Sequence, residues 1–200
     1  MSSDKIVCRN LWSPVGDMIA GATPQGISFL EWHSRGGVER IKQRVEKRHK
    51  QQVVSGNNDH LEALERNLGD YFDGSLRRFH VALDHKGTAF EQQVWKQLLA
   101  IPYGETRSYA QIAEAVGKPK AARAVGRANG ANYISILIPC HRVIESTGKL
   151  RGYGGGLWRK KYLLELEAGR SSPEPNGSTI GSESAAIKAG SATIQTALAV

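Results

Sequence analysis

The spacing of apolar side chains changes period several times along the chain. Asp17 to Thr23 and Gly26 to Trp32 carry the apolar and small residues of two strands, and Pro24-Gln25-Gly26 supplies the turn between them, so a hairpin is predicted. Val38, Ile41 and Val45, and then Leu61, Leu64, Leu68, Tyr71 and Phe72, recur at helical intervals, whereas Phe79, Val81 and Leu83 alternate as in a strand. A small mixed α/β unit over residues 1–84 accounts for all of these as core positions.

From Thr88 the pattern becomes helical and dense. Thr88-x-x-Glu91 has the form of a capping box, in which each side chain satisfies the other's free backbone N–H, and it opens a helix with Phe90, Val94, Trp95, Leu98 and Leu99 on its apolar face, ending before Pro102. Ser108-x-x-Gln111 repeats the signal and opens a second helix from Tyr109 to Val116, stopped by Gly117. After the Lys118-Pro119 turn a third helix is predicted from Lys120 to about Ala128, which makes residues 108–129 a helix-turn-helix. The predicted class is α+β, with a mostly helical C-terminal domain over residues 85–168. Beyond Gly169 large apolar residues nearly vanish among Ser, Ala, Gly and Thr, and residues 169–200 are expected to be a disordered tail.

Composition narrows the function classes. No apolar run approaches the roughly 20 residues of a membrane span, and the N-terminus reaches Cys8 without the apolar stretch of a secretory signal, so an intracellular protein with no membrane partner is expected. The two cysteines, Cys8 and Cys140, lack the paired spacing of a structural zinc site, and Cys8 with His33, His49, His60, His80 and His85 shows no ligand pattern, so no metal is expected. Twenty-seven Lys and Arg against 19 Asp and Glu give a net charge of +8, which favours an anionic partner.

That charge has a local focus. Lys120, Arg123 and Arg127 fall at i, i+3 and i+7 of the third predicted helix, and no acidic residue lies between Lys118 and Asn132, a stripe suited to a phosphate backbone. Their companions, including Ala121, Ala122, Ala124, Gly126 and Ala128, leave no Asn or Gln in the helix middle to read base edges. A slim helix of this kind suits a shallow groove, with one Arg reaching into the base stack and little sequence preference. A solvated basic face on an Ala-rich packing helix would carry the same pattern.

The apolar run Ile134 to Pro139 predicts a buried strand that delivers Cys140-His141-Arg142 at its end. Adjacent positive charge or a proton-accepting imidazole makes a thiolate cheaper to form. His141 would reach the thiol through a turn or one bridging water, and its other ring nitrogen needs an orienting acceptor, for which Glu167 on a helix from Lys160 to Glu167 is the candidate. A buried, inert Cys beside a structural His fits the same residues. The glycine-rich stretch from Thr147 to Trp158 follows. Its G-x-G lacks the strand and acidic residue of a dinucleotide fingerprint, but with Tyr153 it could wall a pocket for a flat ring.

Ile138-Pro-Cys-His-Arg-Val143, preceded by Lys120-Ala-Ala-Arg-Ala-Val-Gly126 and Asn132, resembles the O6-alkylguanine-DNA alkyltransferases over residues 88–167, with residues 1–84 compatible with that family's variable, ribonuclease-H-like N-terminal domain. The resemblance implies a monomer that repairs duplex DNA by direct reversal, in the cytoplasm, at the nucleoid of a bacterium or in a eukaryotic nucleus. Cys140 would accept the alkyl group from O6 of guanine once per molecule, with no cofactor, and O4-alkylthymine stays open as a second substrate. It implies His141 as water-linked base, Glu167 as its orienting carboxylate, Tyr109 as the residue that crowds the target phosphate and protonates the departing guanine, and Asn132 as the hinge brace. Arg123 would fill the stack vacated by the flipped base, on a minor-groove helix that also carries Lys120, Ala122, Gly126 and Arg127. Val143, Ser146, Tyr153, Gly154 and Gly155 would line the base pocket, Ser146 at its DNA edge. Tyr133 stands where many relatives have Pro, which removes a locked φ from the hinge.

Three other readings remain. Lesion-binding relatives without transfer activity carry Trp at the acceptor position, where this chain has Cys140. Alkylation-responsive regulators add metal-binding cysteine clusters, which residues 1–84 lack. A Cys-His hydrolase would need an oxyanion hole, and no feature of the sequence demands one.

Overall fold

In the computed structural model, which describes residues 5–170, a four-stranded sheet carries the N-terminal half. Its strands β1 (Ile6–Leu11), β2 (Met18–Thr23), β3 (Gly26–Trp32) and β4 (Val53–Ser55) lie in the order β3-β2-β1-β4, with β4 parallel to β1 and the other pairs antiparallel. The hairpin predicted from residues 17–32 is β2–β3. Strand β1, where Arg9 and Asn10 interrupt the apolar residues, and the three-residue β4 did not stand out in the sequence. Two helices, α1 (Val38–His49) and α2 (Asp59–Phe72), complete this half, burying Ile41 and Val45 on one and Leu61, Leu64, Leu68 and Tyr71 on the other.

The second half is helical: α3 (Ala89–Leu99), α4 (Tyr109–Ala115), α5 (Ala122–Gly130) and α6 (Leu157–Glu167), with a two-stranded parallel ribbon of β5 (Arg107–Ser108) and β6 (Val143–Ile144). Both expected capping boxes are formed, Thr88 with Glu91 and Ser108 with Gln111. Trp95 of α3 donates to the Ala128 carbonyl at 2.9 Å, which seats α5 against it. Among the described residues no helix is long and apolar enough to cross a membrane. The segment 171–200, which covers nearly all of the expected tail, lies outside the described residues.

Four expectations are corrected. Phe79 to Leu83 is not a strand; only Leu83 bridges, to Ile27, while the segment covers one end of the β3 edge through Ile27 N to Ala82 O at 2.8 Å. Leu99 is exposed rather than part of the α3 core face. The third helix starts at Ala122, two residues later than expected, because Ala121 N closes a turn onto Lys118 O, so Lys120 stands in that turn and only Arg123 and Arg127 belong to the helix. Ile134 to Pro139 is buried but is not a strand. Ile136 takes φ +70°, and the backbone coils through Leu137 N to Ser135 O and Ile138 N to Ile134 O.

That coil is nevertheless attached to the sheet. Leu30 N donates to Tyr133 O at 2.9 Å and Ser135 N to Leu30 O at 2.8 Å, so residues 133–135 occupy the other part of the β3 edge and consume its free backbone groups. Tyr133 fixes this segment through its side chain. Its ring packs edge-on to Trp95, and its hydroxyl accepts from Lys86 N at 2.5 Å and donates to Lys86 O at 2.8 Å. Tyr133→Phe should therefore lower stability by about 1–2 kcal/mol, read as a lower urea midpoint at unchanged slope, because the Lys86 amide and carbonyl lose their partner.

Candidate active site

Cys140, His141 and Arg142 form a single 3₁₀ turn, all three buried, rather than the end of an extended strand. The turn arises because Pro139 has no N–H to continue a ladder and Cys140 N folds back onto Ile138 O at 2.7 Å. Asn132 holds the approach to it. Its Oδ1 accepts from Ile134 N at 2.9 Å and its Nδ2 donates to Ile138 O at 2.9 Å, so one buried amide joins the two ends of the coil. Asn129, also buried, donates from α5 to the Cys140 carbonyl at 3.3 Å.

Glu167 is the anchor of the turn. Its fully buried carboxylate accepts five hydrogen bonds: Oε1 from Tyr71 Oη at 2.8 Å, His141 Nε2 at 2.8 Å and Arg142 Nη2 at 3.0 Å, and Oε2 from Arg142 Nε at 2.8 Å and Gly104 N at 3.2 Å. Burial alone would raise its pKa, but these donors, His141 and Arg142 foremost, hold the carboxyl well below its usual range. An ionised Glu167 keeps the proton of His141 on Nε2, which leaves Nδ1 as the acceptor. Burial lowers the His141 pKa below 6.5 despite the carboxylate, so the imidazole is neutral at neutral pH. Nδ1 is itself buried and meets no protein hydrogen-bonding group.

The thiol has the opposite problem. Burial raises the Cys140 pKa above 9.0, only partly opposed by the Asn132 amide and by the charges of Arg35 and Lys160. Lys160 is wholly buried, donating to Val143 O at 2.6 Å and Arg151 O at 2.7 Å, and burial lowers its pKa to about 8. It ties β6 to the glycine-rich segment.

Cys140 lines a closed recess with Arg35, Asn129, Asn132, Tyr153 and Gly154, and the free space there is about 10 Å³, close to what one water needs. Arg35, from the loop after β3, closes it. Its Nη1 donates to Glu31 Oε1 at 2.7 Å and Asn132 O at 2.6 Å, its Nη2 donates to Gly130 O, and a Cβ on Gly154 would lie 2.6 Å from its guanidinium carbon. Tyr109 stands at the rim, half-buried, facing Gly126 of α5 and donating to Arg151 O at 3.2 Å. Its pKa is raised by burial first and by Cys140 second.

The sequence-derived candidates are thus only partly gathered. Cys140, Asn132, Tyr153 and Gly154 meet at the recess, and His141 and Glu167 sit directly behind the thiol's turn. Val143 is buried in β6, Gly155 is pressed on Trp32, and Ser146 is exposed in the turn from Glu145 to Lys149. None of these three lines the closed recess. Arg123 and Arg127 are exposed on α5, Ala122 and Gly126 partly covered, and Lys120 exposed ahead of it. Tyr71, Arg35, Asn129 and Lys160 were missed. Tyr71 and Lys160 sit at helical positions that carry no chemical signature, and Arg35 is one arginine among many. Among the described residues no three His, Cys, Asp or Glu side chains gather as a metal would require.

Known proteins resemble this chain over most of its length. Residues 89–169 match the family model described as 6-O-methylguanine DNA methyltransferase, DNA binding domain. The methylated-DNA–protein-cysteine methyltransferase of Mycobacterium tuberculosis is 62% identical over 104 residues, 52% of this chain and 63% of that protein, so this match spans just under two thirds of the relative. The protein of the same name from Mycobacterium leprae is 48% identical over 165 residues, 81% of this chain and 92% of that protein. The crystal structure of Mycobacterium tuberculosis OGT in complex with DNA has a TM-score of 0.71 and 43% identity, covering 84% of this chain and 96% of that one. With a recess built on a buried cysteine, and with similarity that runs through both halves of the fold, the chain belongs to the methylated-DNA–protein-cysteine methyltransferase family.

Proposed function

We propose that the protein repairs O6-alkylguanine in duplex DNA by moving the alkyl group to Cys140. The observation that carries this reading is the hydrogen bond from His141 Nε2 to Glu167, which leaves a neutral imidazole with Nδ1 as its acceptor beside a thiol too weakly acidic to ionise by itself. In the reaction the Sγ proton passes to His141 Nδ1 through one bridging water, Sγ forms a bond to the alkyl carbon, and the bond from that carbon to O6 breaks. The electron pair returns to guanine, whose N3 takes a proton from Tyr109. The thioether has no leaving group that water could displace, so each molecule acts once and needs no cofactor. His141 is the second residue of the 3₁₀ turn that begins at Cys140, which places the base next to the thiol that this reading makes the acceptor.

DNA is the partner that this reading requires. O6 is inaccessible to a thiol at the bottom of a recess until the nucleotide leaves the stack, so the base is flipped. Arg123 on the exposed face of α5 fills the vacated place in the minor groove, while Lys120 and Arg127 meet phosphates and the small residues Ala122 and Gly126 allow close approach. The recess admits a purine only when Arg35 and the segment from Gly152 to Gly154 separate. Residues 1–84 then act as a buttress and residues 85–168 as the alkyltransferase domain of a monomer that works where the DNA is, in the cytoplasm or nucleoid of a bacterium or in a eukaryotic nucleus.

The test is mass spectrometry with peptide mapping after mixing with one equivalent of duplex carrying O6-methylguanine. A methyl on Cys140 with guanine restored is the expected result, whereas tight binding with protein and lesion unchanged would identify a lesion-binding module. Cys140→Ala should abolish transfer while retaining DNA affinity; a parallel loss of both would remove Cys140 from the nucleophile's role. Arg123→Ala should slow repair in duplex at least tenfold more than reaction with free O6-benzylguanine, and equal slowing would contradict its part in flipping. The rate with O6-benzylguanine should fall as the pH drops through the lowered pKa of His141, which burial places under 6.5, because the imidazole then takes a proton on Nδ1 and stops accepting the thiol's. A rate that does not fall at any acidic pH at which the protein stays folded would rule out that base.

A further inference from the structure

Helix α1 carries Arg40, Gln43, Arg44 and Lys47 at i, i+3, i+4 and i+7, and all four are exposed. They therefore share one face, and with Arg35 and Gly36 they line a single concavity of about 450 Å³. The acids of α1 are used elsewhere, Glu39 on Lys42 at 3.4 Å and Glu46 on the Val53 amide at 2.9 Å. Arg44 lies 3.7 Å from the buried Glu31, but neither Arg40 nor Lys47 has a carboxylate within 4 Å among the described residues. Like charges one turn apart destabilise a helix, and a merely solvated face is better served by alternating Glu and Lys. The stripe is thus a standing electrostatic cost that an anion would relieve.

Its position says which anion. Arg35, Arg44 and Lys47 also line a larger cleft of about 770 Å³, together with Arg48, Lys86 and Gly130. Arg35 and Gly130 in turn line the recess at Cys140. Glu31 and Glu91 also line the larger cleft, but they face Arg35, Arg44 and Arg48, so a path with an excess of positive charge runs from α1, past the end of α5, to Cys140. Arg40 to Lys47 covers about 10 Å of helix, which matches roughly three phosphates of one strand where the helix follows the duplex axis, along which each strand carries one per about 3.4 Å.

Resting on the DNA-repair reading above, we infer that the Arg40–Arg44–Lys47 face of α1 is a second phosphate-binding surface. It grips the backbone of the DNA whose lesion enters the recess at Cys140, so that the N-terminal half takes part in the footprint. Without groups that select bases, it adds affinity and salt dependence but no sequence preference.

The test compares the wild-type chain, the variant Arg40→Gln/Arg44→Gln/Lys47→Gln and a charge-matched control, Arg66→Gln/Lys96→Gln/Lys161→Gln, binding a 30-base-pair duplex across a salt series. The α1 variant should lose about 2 to 3 from the slope of log affinity against log salt, at about 0.9 per phosphate, and at least tenfold in affinity near physiological salt. It should keep the wild-type rate with free O6-benzylguanine, which also reports that the fold is intact. The control should keep the wild-type slope. An unchanged slope in the α1 variant, or an equal loss in the control, overturns the inference while leaving the repair reading in place. If the wild-type chain itself shows no salt-dependent DNA binding, it is the repair reading that fails.

Discussion

Burying a carboxylate is affordable to a fold only when its lone pairs are filled, and at Glu167 that requirement gathers the molecule. The five donors come from α2, from the loop before β5 and from the turn that bears the cysteine, while the carboxylate itself ends α6. Arg142 extends the web by donating to Ile101 O at 2.6 Å. Removing the carboxylate would leave a buried guanidinium without a counter-charge, a change that typically costs about 3–5 kcal/mol. The residue that sets the tautomer of His141 therefore also ties α2 of the first half to the second.

The same burial imposes opposite demands on the reacting pair. It raises the Cys140 pKa and lowers that of His141, so both groups are neutral at rest, with the proton still on sulfur. A resting thiol in a closed recess is protected from oxidation and from adventitious electrophiles. Under the proposed function, reaction waits for an event that brings substrate and base into line, because the recess at Cys140 has room for only about one water until it opens. Arg35 is placed to link that opening to the surface, since it bonds the carbonyls at the end of α5 and packs on Gly154.

Much of the site was legible in the sequence because its signals are local. Pro139-Cys140-His141-Arg142, the two capping boxes and the alanine-rich basic helix each express a rule acting within a few residues. Glu167 was legible as an acceptor only because a histidine next to a reactive thiol needs one. The misreadings arose where local preference competes with distant partners. Ile134 to Pro139 has the composition of a strand, but Asn132 caps its backbone from the side and β3 takes only its first residues, so it coils. Lys120 has helical spacing with Arg123, but the preceding turn delays the helix past it.

The sequence by itself determined the β2–β3 hairpin, the helical segments, the two capped helix starts at Thr88 and Ser108, and the cysteine with its adjacent imidazole, because capping, periodicity and proline act through neighbouring residues. Only the tertiary structure decided that Tyr71 and Arg142 share one carboxylate with His141, that Lys160 is buried beside the glycine-rich segment, and that Arg35 closes the recess. Those choices depend on which groups meet across 9 to 97 positions of chain, and solvation decides them there: a buried polar group takes whatever partner the packed fold brings within reach.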